Sequence, residues 1–590
     1  MNLTPMLSEL SSQVDGRRLM THLTEFARWT KHAGTPTELA SLDYVKATFD
    51  SYGYKTELIL HDAYISLPGA AHIEVGGERF ACITQSFSRS SPPGGLRGTT
   101  IAAGAGAASD LSADVAGKIV LLDGIATPAV SQRAGAAGAI GQIHFSPSDY
   151  AHEMCISPVW GSPTHHTVAN LPSTVVVTVA RDEGVRLRAA LAKAPDAEVV
   201  LHAEVDTGWR PTPILVASLD PQGAAEDVPY VMFSGHHDTW YYGVMDNGGA
   251  NAVMLEVARV CAGRIDAWRR GLRLMVWSGH SQGRYSSSTW YADTHWDELE
   301  RRAVAHVNID STCARGNVVL EDCQAAAELL GVARDAIRVE GGQPLTGHRV
   351  ARAGDQSFWG IGVPAIFAAL GEQPAAGGAS PASFLFGGPN KKGAGTGWWW
   401  HTPADTLDKM DETIAIRDAR VYLHVVATLL ASPVLPIDYG EHAAMLLREL
   451  DQLRDRLGDR FDLGPLSAEV TRLREAATAL RRRADAAAGD DELASINRCI
   501  MALSRALVPM DHTLGDRFDH DPALALPAYP ALTPLRDLAA SQPGSDQAKF
   551  IAVAAQRGVN RVVRAVRDAN AAIAACFIEL SQRSAEGRKS

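Results

Sequence analysis

The chain has 590 residues, of which 46% are hydrophobic and 21% charged, so its apolar content is sufficient for several packed cores. Its formal net charge of −12 argues against a nucleic-acid or anionic-membrane partner, because both require a basic surface. No run approaches the roughly 18 apolar residues of a membrane-spanning helix. The seven cysteines form no CxxC pair and indicate reduced thiols, so we expect a soluble, cytoplasmic protein.

The N-terminal part of the chain predicts helices, and the residues after it predict mainly short β-strands. Apolar residues at helical spacing predict helices over residues 19–30 and 37–52, with Gly53 placed to end the second one. From about residue 54, short β-rich runs at 56–60 and 73–75 are separated by Gly, Pro and Ser. Residues 118–122, 129–138 and 140–145 then predict a strand, a helix and a strand.

An α/β pattern begins after residues 209–213, where two prolines predict a turn, and continues to about residue 436. Runs at 214–219, 231–234 and 272–277 predict strands, and residues 250–260 predict a helix between them. This alternation predicts an α/β fold with a mostly parallel sheet.

Polar side chains follow these strands where each one ends. His236 and Asp238 follow the run 230–233, Asp246 lies in a glycine-rich turn, Asp310 follows the run 304–309, and His401 follows a long loop. Ligands of open α/β sheets bind at the carboxyl ends of the strands. Because imidazole and carboxylate are the ligands that zinc prefers, these residues predict a zinc site.

Three motifs resemble the metal motifs of the aminopeptidase and glutamate carboxypeptidase family of co-catalytic zinc peptidases: GHHDTW at 235–240, NIDS at 308–311 and WHTPADTLDKMD at 400–411. The resemblance implies one or two zinc ions. It implies that His236 and Asp310 hold one ion, that His401 holds the other, and that Asp246 bridges them. It also implies that Asp238 orients His236.

The likeness extends to the branch that contains glutamate carboxypeptidase II and the transferrin receptor, and it implies a three-part build. The expected parts are a zinc-peptidase domain over residues 1–55 and 208–436, an inserted β-rich protease-associated domain over 56–207, and a helical domain over 437–590. Apolar stripes at 445–457, 470–480 and 560–578 predict long helices in the last part. By resemblance these helices form a dimerisation domain, so we expect a homodimer.

The chain departs from the family at one turn. The family has adjacent glutamates after the strand that here ends at Trp277, the first as general base and the second as metal ligand. This chain has His280 and Ser281 at those positions. Gln282 cannot take a proton from water at neutral pH. The family mechanism therefore does not transfer unchanged.

Three hypotheses follow from this departure. In the first, His280 either replaces the missing ligand or is the base that deprotonates water. In the second, one metal on His236, Asp246 and Asp310 polarises a carbonyl, while His280 and His401 handle protons. In the third, the protein is a catalytically inactive, peptidase-shaped binding protein. The persistence of most ligands favours a metal-dependent hydrolase of an amide or peptide bond in a small substrate.

Five residues are candidates for contact with a substrate. Arg284 and Tyr285 follow the altered turn and are able to bind a carboxylate or an oxyanion, although a salt bridge explains Arg284 equally well. Trp400 is a candidate for an aromatic wall against a flat or apolar group of the substrate, and the alternative is that its ring only packs in the core. Gly354 and Asp355 occupy the family's position for a loop near the substrate.

Overall fold

Two β-sheets and a helical C-terminal segment make up the fold, which the computed structural model describes over residues 3–375, 392–487 and 489–586. The strands are β1 Lys55–Val75, β2 Glu78–Ala81, β3 Ile83–Thr84, β4 Leu96–Gly98, β5 Thr100–Ala102, β6 Ile119–Asp123, β7 Gly141–Phe145, β8 Val175–Val179, β9 Val199–Leu219, β10 Tyr230–His236, β11 Gly271–Trp277, β12 Ala303–Asn308 and β13 Ala365–Ile366.

The α-helices alternate with these strands and then continue alone. They are α1 Thr4–Ser12, α2 Gly16–Phe26, α3 Pro36–Ser51, α4 Pro128–Ala136, α5 Arg181–Lys193, α6 Ala250–Ala262, α7 Ser286–Thr294, α8 Trp296–Arg302, α9 Leu330–Gly341, α10 Glu412–Ala431, α11 Tyr439–Leu457, α12 Gly464–Ala486, α13 Asp490–His512, α14 Thr533–Ala540 and α15 Asp546–Glu586. Among the described residues, none of these helices combines the length and apolarity needed to cross a bilayer.

The larger sheet has the strand order β13-β12-β10-β11-β9-β1-β2, with β4 beside β9. Strands β13, β12, β10 and β11 are parallel, and β9, β1 and β2 continue the sheet in antiparallel pairs. The smaller sheet has the order β3-β8-β7-β6-β5, and all its pairs except β3 with β8 are parallel. The prediction of an α/β fold with largely parallel strands is confirmed.

The antiparallel pair of β1 and β9 corrects two expectations about chain breaks. The short runs predicted around Pro68 belong to one strand of 21 residues, which continues through a register shift between Pro68 and Ala71. Likewise β9 runs straight through Pro211 and Pro213, where a turn was predicted. These prolines are tolerated because the other edge of β9 pairs with β11 only from Leu215 onward.

The parallel strands that lead to the polar residues are buried on both faces. Every residue of β10, β11 and β12 is buried, which explains why their sequences are nearly continuous apolar runs rather than alternating patterns. Helices α6 and α10 pack against β10. Because both faces of such a strand are covered, the polar side chains that can reach a ligand are those at its carboxyl end.

The C-terminal segment is a group of packed helices. The three predicted helices correspond to α11, α12 and α15, whereas α13 was not predicted. Its buried Ile496, Ile500, Leu503 and Leu507 recur at helical spacing, so the signal was present in the sequence. Helix α15 packs against α12, α13 and α14.

Candidate metal centre

Adjacent parallel strands carry three of the predicted side chains to one edge of the sheet. His236 is the last residue of β10, His280 follows the end of β11 at Trp277, and Asp310 follows the end of β12 at Asn308. The backbone N–H of His237 donates to the carbonyl of Trp277 at 2.7 Å, which keeps the two strand ends in register.

Asp246 reaches the same place from the turn Val244–Gly249. The Asp405 carboxylate accepts hydrogen bonds from the backbone N–H groups of Met245 at 2.8 Å and Asp246 at 3.1 Å. The side-chain oxygen of Asn247 accepts from the N–H of Ser311 at 3.0 Å, which ties this turn to the residues after β12. Burial raises the pKa of Asp405 to about 7, although these N–H donors oppose the shift. Asp405 therefore positions the turn.

The predicted ligands converge. The Nε2 atom of His236 lies 3.2 Å from Oδ1 of Asp246 and 3.5 Å from Oδ2 of Asp310. The Nε2 atom of His401 lies 3.0 Å from the other oxygen of Asp246, and that of His280 lies 3.9 Å from Oδ2 of Asp310. Asp246 thus stands between two histidines, and the ligand atoms of His236, His280 and Asp310 lie within 4.8 Å of one another.

All three histidines are held by their Nδ1 atoms. Their partners are the backbone oxygen of Asp238 for His236 at 2.8 Å, Oδ2 of Asp355 for His280 at 2.9 Å, and the backbone oxygen of Glu153 for His401 at 2.6 Å. Carbonyl and carboxylate oxygens only accept, so each Nδ1 carries the hydrogen. In the neutral ring each Nε2 then presents a lone pair to a carboxylate, which is repulsive without positive charge between them.

Electrostatics at the centre favour positive charge accordingly. Burial alone would lower the pKa of His236, but the carboxylates of Asp310 and Asp246 raise it well above its usual range. Burial alone would raise the pKa of Asp246, but its contacts with His236 and His401 lower it. The carboxylate of Asp246 is therefore ionised and faces the Nε2 atoms of His236 and His401.

The spacing of these atoms fits a tetrahedral zinc ion. With zinc–nitrogen and zinc–oxygen bonds of about 2.0–2.1 Å, ligand atoms are expected about 3.4 Å apart. The separations of 3.2, 3.5 and 3.9 Å among His236, Asp246, Asp310 and His280 lie around that value. In addition, Nε2 of His236 is buried and has no hydrogen-bond partner among the described residues. The ligand atoms of His236, His280 and Asp310 fit one divalent cation, and Asp246 lies beside this group, between His236 and His401.

Asp238 contacts both the altered turn and the ring of His236. Its carboxylate accepts from the backbone N–H groups of His280 at 3.2 Å and Ser281 at 2.8 Å. The ring of His280 stacks on that of His236 with centroids 3.7 Å apart. Thus the side chain of Asp238 fixes the turn, and its backbone oxygen fixes the His236 ring.

A cavity of about 350 Å³ opens onto the centre. Its walls come from residues 127–129 and 154–155, from residues 351–354 and 368–369, and from residues 523–525 of the C-terminal segment. Of the predicted substrate contacts, Arg284, Tyr285, Gly354 and Trp400 line it. Asp355 does not line the cavity, because it is buried under His280 and bonded to that ring.

Arg284 uses its donors within the protein. Its Nε donates to the carbonyl of Ser157 at 3.0 Å and Nη2 donates to that of Cys155 at 2.6 Å, while Nη1 faces the hydroxyl of Tyr285 at 3.5 Å. The ring of Tyr285 packs edge-on against His280. Arg284 therefore fastens the segment 155–157 to the altered turn, a role that the sequence did not indicate.

Trp400 combines the two roles considered for it. Its ring lines the cavity and stacks on His401 at a centroid distance of 3.4 Å, while its carbonyl accepts from Nδ1 of His152 at 2.6 Å. Beside it, burial raises the pKa of Glu153 to about 8, and a hydrogen bond from the hydroxyl of Tyr241 at 3.1 Å only partly opposes this shift. Glu153 was missed by sequence reasoning, because nothing in its local sequence links it to His401.

The strand ends thus bring imidazole and carboxylate groups together at one edge of an α/β sheet, an arrangement able to hold a divalent cation. Residues 215–426, which include all five of these ligand candidates, match Peptidase family M28.

Two curated relatives and one solved structure show the extent of the similarity. The chain is 25% identical over 308 residues to the probable glutamate carboxypeptidase LAMP1 of Arabidopsis thaliana, covering 49% of this chain and 43% of the plant protein. It is 25% identical over 292 residues to the aminopeptidase NAALADL1 of Rattus norvegicus, covering 44% and 38%. It thus spans less than half the length of either relative.

The fold is shared with the aminopeptidase from Aneurinibacillus sp. strain AM-1, with a TM-score of 0.54 and 20% identity. That likeness covers 73% of this chain and 97% of the bacterial aminopeptidase.

Proposed function

We propose that the protein is a metal-dependent hydrolase that cleaves an amide or peptide bond in a small substrate. The observation that carries the proposal is the orientation of His236, His280 and His401, each bonded through Nδ1 and directed through Nε2 at a carboxylate. The Peptidase family M28 region and relatives named as a carboxypeptidase and an aminopeptidase support the same class of reaction.

The proposed ligands of the cation, zinc by preference, are His236, Asp246, Asp310 and His280. When bound, the ion supplies a Lewis acid for the scissile carbonyl. His280 takes a ligand role at a position where the family has a glutamate. The support for this role is Asp355, whose carboxylate accepts from Nδ1 of His280 as the outer carboxylates of histidine–zinc sites do.

His401 is the proposed proton carrier. It lines the cavity, and its Nδ1–H is fixed, so Nε2 is the atom that accepts the proton of the attacking water and passes it to the leaving amine. The carboxylate of Asp246, 3.0 Å from this atom, stabilises the imidazolium that forms. This assignment combines the first hypothesis, in which His280 is a metal ligand, with the second, in which His401 handles protons.

The cavity supports a small substrate. Its volume of about 350 Å³ lies at the low end of ligand pockets. Much of its lining is apolar, with Trp240 and Trp400 near the centre and alanines on the far walls. We propose a short peptide or a compact amide with an apolar group against the two tryptophans.

Metal content and hydrolysis together test the proposal. Elemental analysis of protein purified without a chelating tag is expected to find a transition metal, and His280→Ala is expected to contain fewer metal ions per chain and to lose hydrolysis of dipeptides. His166→Ala, in an exposed loop, is the matched control. If the wild type holds no metal and cleaves nothing in a dipeptide and amide screen, the protein is instead a peptidase-shaped binding protein.

We further propose that residues 437–590 mediate formation of a homodimer. Helix α15 exposes Phe550, Val553 and Ile578, with exposed fractions of 70%, 54% and 60%. Phe550 and Val553 lie about one turn apart on this helix, and neighbouring exposed apolar side chains of this kind are typical of contact surfaces. Sedimentation analysis at micromolar concentration is expected to give a dimer, and a strictly monomeric species would contradict this.

We propose a reducing compartment, the cytoplasm, for the protein. All seven cysteines are free thiols in the fold, and six of them are buried. Buried free cysteines behave as small hydrophobic residues. Thiol titration of freshly purified, unfolded protein is expected to find all of them reduced.

A further inference from the structure

The ribbon of β1 and β9 carries a second group of potential metal ligands, apart from the cavity. His72 of β1 and His202 of β9 are directly paired across the antiparallel ladder. Glu74 lies two residues further along β1 and therefore projects from the same face. The intervening Ile73 and the neighbouring Leu201 project from the opposite face, into the core of the smaller sheet.

The three side chains converge. The imidazole rings of His72 and His202 stack with centroids 4.2 Å apart and planes 5° apart. Oε1 of Glu74 lies 3.2 Å from Nε2 of His72, and Oε2 lies 3.8 Å from Nε2 of His202. One ligand atom from each residue lies within 4.8 Å of the other two.

A hydrogen-bonding role explains only part of this arrangement. The contact of Glu74 with His72 has the geometry of a hydrogen bond, but Nε2 of His202 is buried without a hydrogen-bond partner among the described residues. Two imidazole nitrogens and a carboxylate on one face are the donor set that zinc takes with water in the fourth position. We propose that His72, Glu74 and His202 bind a zinc-class divalent cation.

The position of this site suggests what the ion does there. It lies just beyond the register shift between Pro68 and Ala71, so a bound ion clips β1 to β9 where the ladder resumes. The turn at Gly95, which has a φ of 86°, closes over His202, because a Cβ atom at Gly95 would lie 2.9 Å from its Nε2. The side-chain exposures of 20% for His72 and 44% for Glu74 leave these two ligands accessible to an ion from solvent, whereas Nε2 of His202 is buried.

Zinc binding to the chelator-stripped full chain tests the proposal. Calorimetric titration with zinc chloride alone is expected to show one zinc ion fewer per chain in His72→Gln/His202→Gln than in wild type, with peptidase activity unchanged. The Glu74→Gln variant, which keeps the side-chain size, is expected to bind that ion at least tenfold more weakly. His165→Gln/His166→Gln, an adjacent and fully exposed histidine pair, is the control that should retain wild-type stoichiometry.

The site is separable from the proposed catalytic centre. In a His236→Ala background, titration is expected to show that the ribbon ion still binds and is lost only when His72 and His202 are also replaced. Equal zinc stoichiometry and affinity in wild type and in the His72→Gln/His202→Gln variant would overturn the proposal. Unfolding temperatures measured without zinc identify a variant that has failed to fold, and in that event Glu74→Gln decides the question.

Discussion

The contact between His280 and Asp355 is the most informative place to perturb the proposed centre. Asp355 is 1% exposed, and its Oδ2 accepts from Nδ1 of His280 at 2.9 Å. Although burial by itself raises the pKa of Asp355, the neighbouring His280 and His236 lower it, so the group is ionised. Asp355→Asn keeps the size and an acceptor oxygen, and it removes only the charge.

The expected loss follows from the distance between that charge and the ion. The 2.9 Å contact, the width of the imidazole ring and a zinc–nitrogen bond of about 2.0–2.1 Å add to about 7 Å. At an effective dielectric constant of about 20, each unit of net positive charge at the ion interacts with the carboxylate by about 2.4 kcal/mol at that separation. This corresponds to roughly a 50-fold weaker Kd for zinc. Losses of about 10–100-fold are typical when the outer partner of a metal-bound histidine is replaced.

Competition between the chelator-stripped protein and a zinc-binding dye measures this Kd directly. Asp511→Asn is a suitable control, because Asp511 is also 1% exposed but pairs with Arg349 and does not line the cavity. If Asp355→Asn unfolds at the wild-type temperature and its zinc Kd is within about threefold of the wild-type value, the ligand role of His280 is refuted. The reason is that removing a charge about 7 Å from the ion must weaken zinc binding.

Four further predictions concern other residues. Replacing the proton carrier, His401→Gln, is expected to lower kcat by about 10²–10⁴-fold, and an unchanged kcat would exclude that role. Gly558→Ala, which brings a Cβ within 1.9 Å of a backbone carbonyl, is expected to destabilise the fold by about 1–3 kcal/mol in urea unfolding. Gly331→Ala, with open space around it in α9, is expected to stabilise by about 0.5–1 kcal/mol instead. Burial would lower the pKa of His442, but its 2.9 Å hydrogen bond with Glu328 raises it. The wild type is therefore expected to be more stable than His442→Gln, with the full difference below about pH 6.5. This difference should disappear as the pH rises through the raised pKa of His442. Unfolding both proteins at about pH 6 and about pH 9 checks the sign.

The fold class could be predicted because its signals are local. Buried parallel strands such as β10 read as short apolar runs that end in polar residues, and the strand–helix–strand unit of β6, α4 and β7 was predicted within a few residues of its bounds. Prolines misled the prediction in β1 and β9. A proline interrupts a strand only if its missing N–H faces a partner, and pairing partners are not visible in local sequence.

The types of ligand at the candidate centre could be predicted from the sequence. A histidine or an aspartate placed just after a buried strand lies at the edge of the sheet. That is how His236 and Asp310 could be grouped from the sequence, whereas Asp246 was added from its glycine-rich turn and from the family resemblance. The altered turn at His280 was equally visible, but its consequence was not.

Only the tertiary structure shows which groups hydrogen-bond to these ligands and which residues line the cavity around them. Asp355 lies under His280, and residues 523–525 close the cavity from the far end of the chain, because helices and loops distant in sequence pack there. The pairing of His72 with His202 depends in the same way on the register of two long strands. Register and long-range packing arise from the sum of many contacts across the fold, and no single segment of the sequence encodes them.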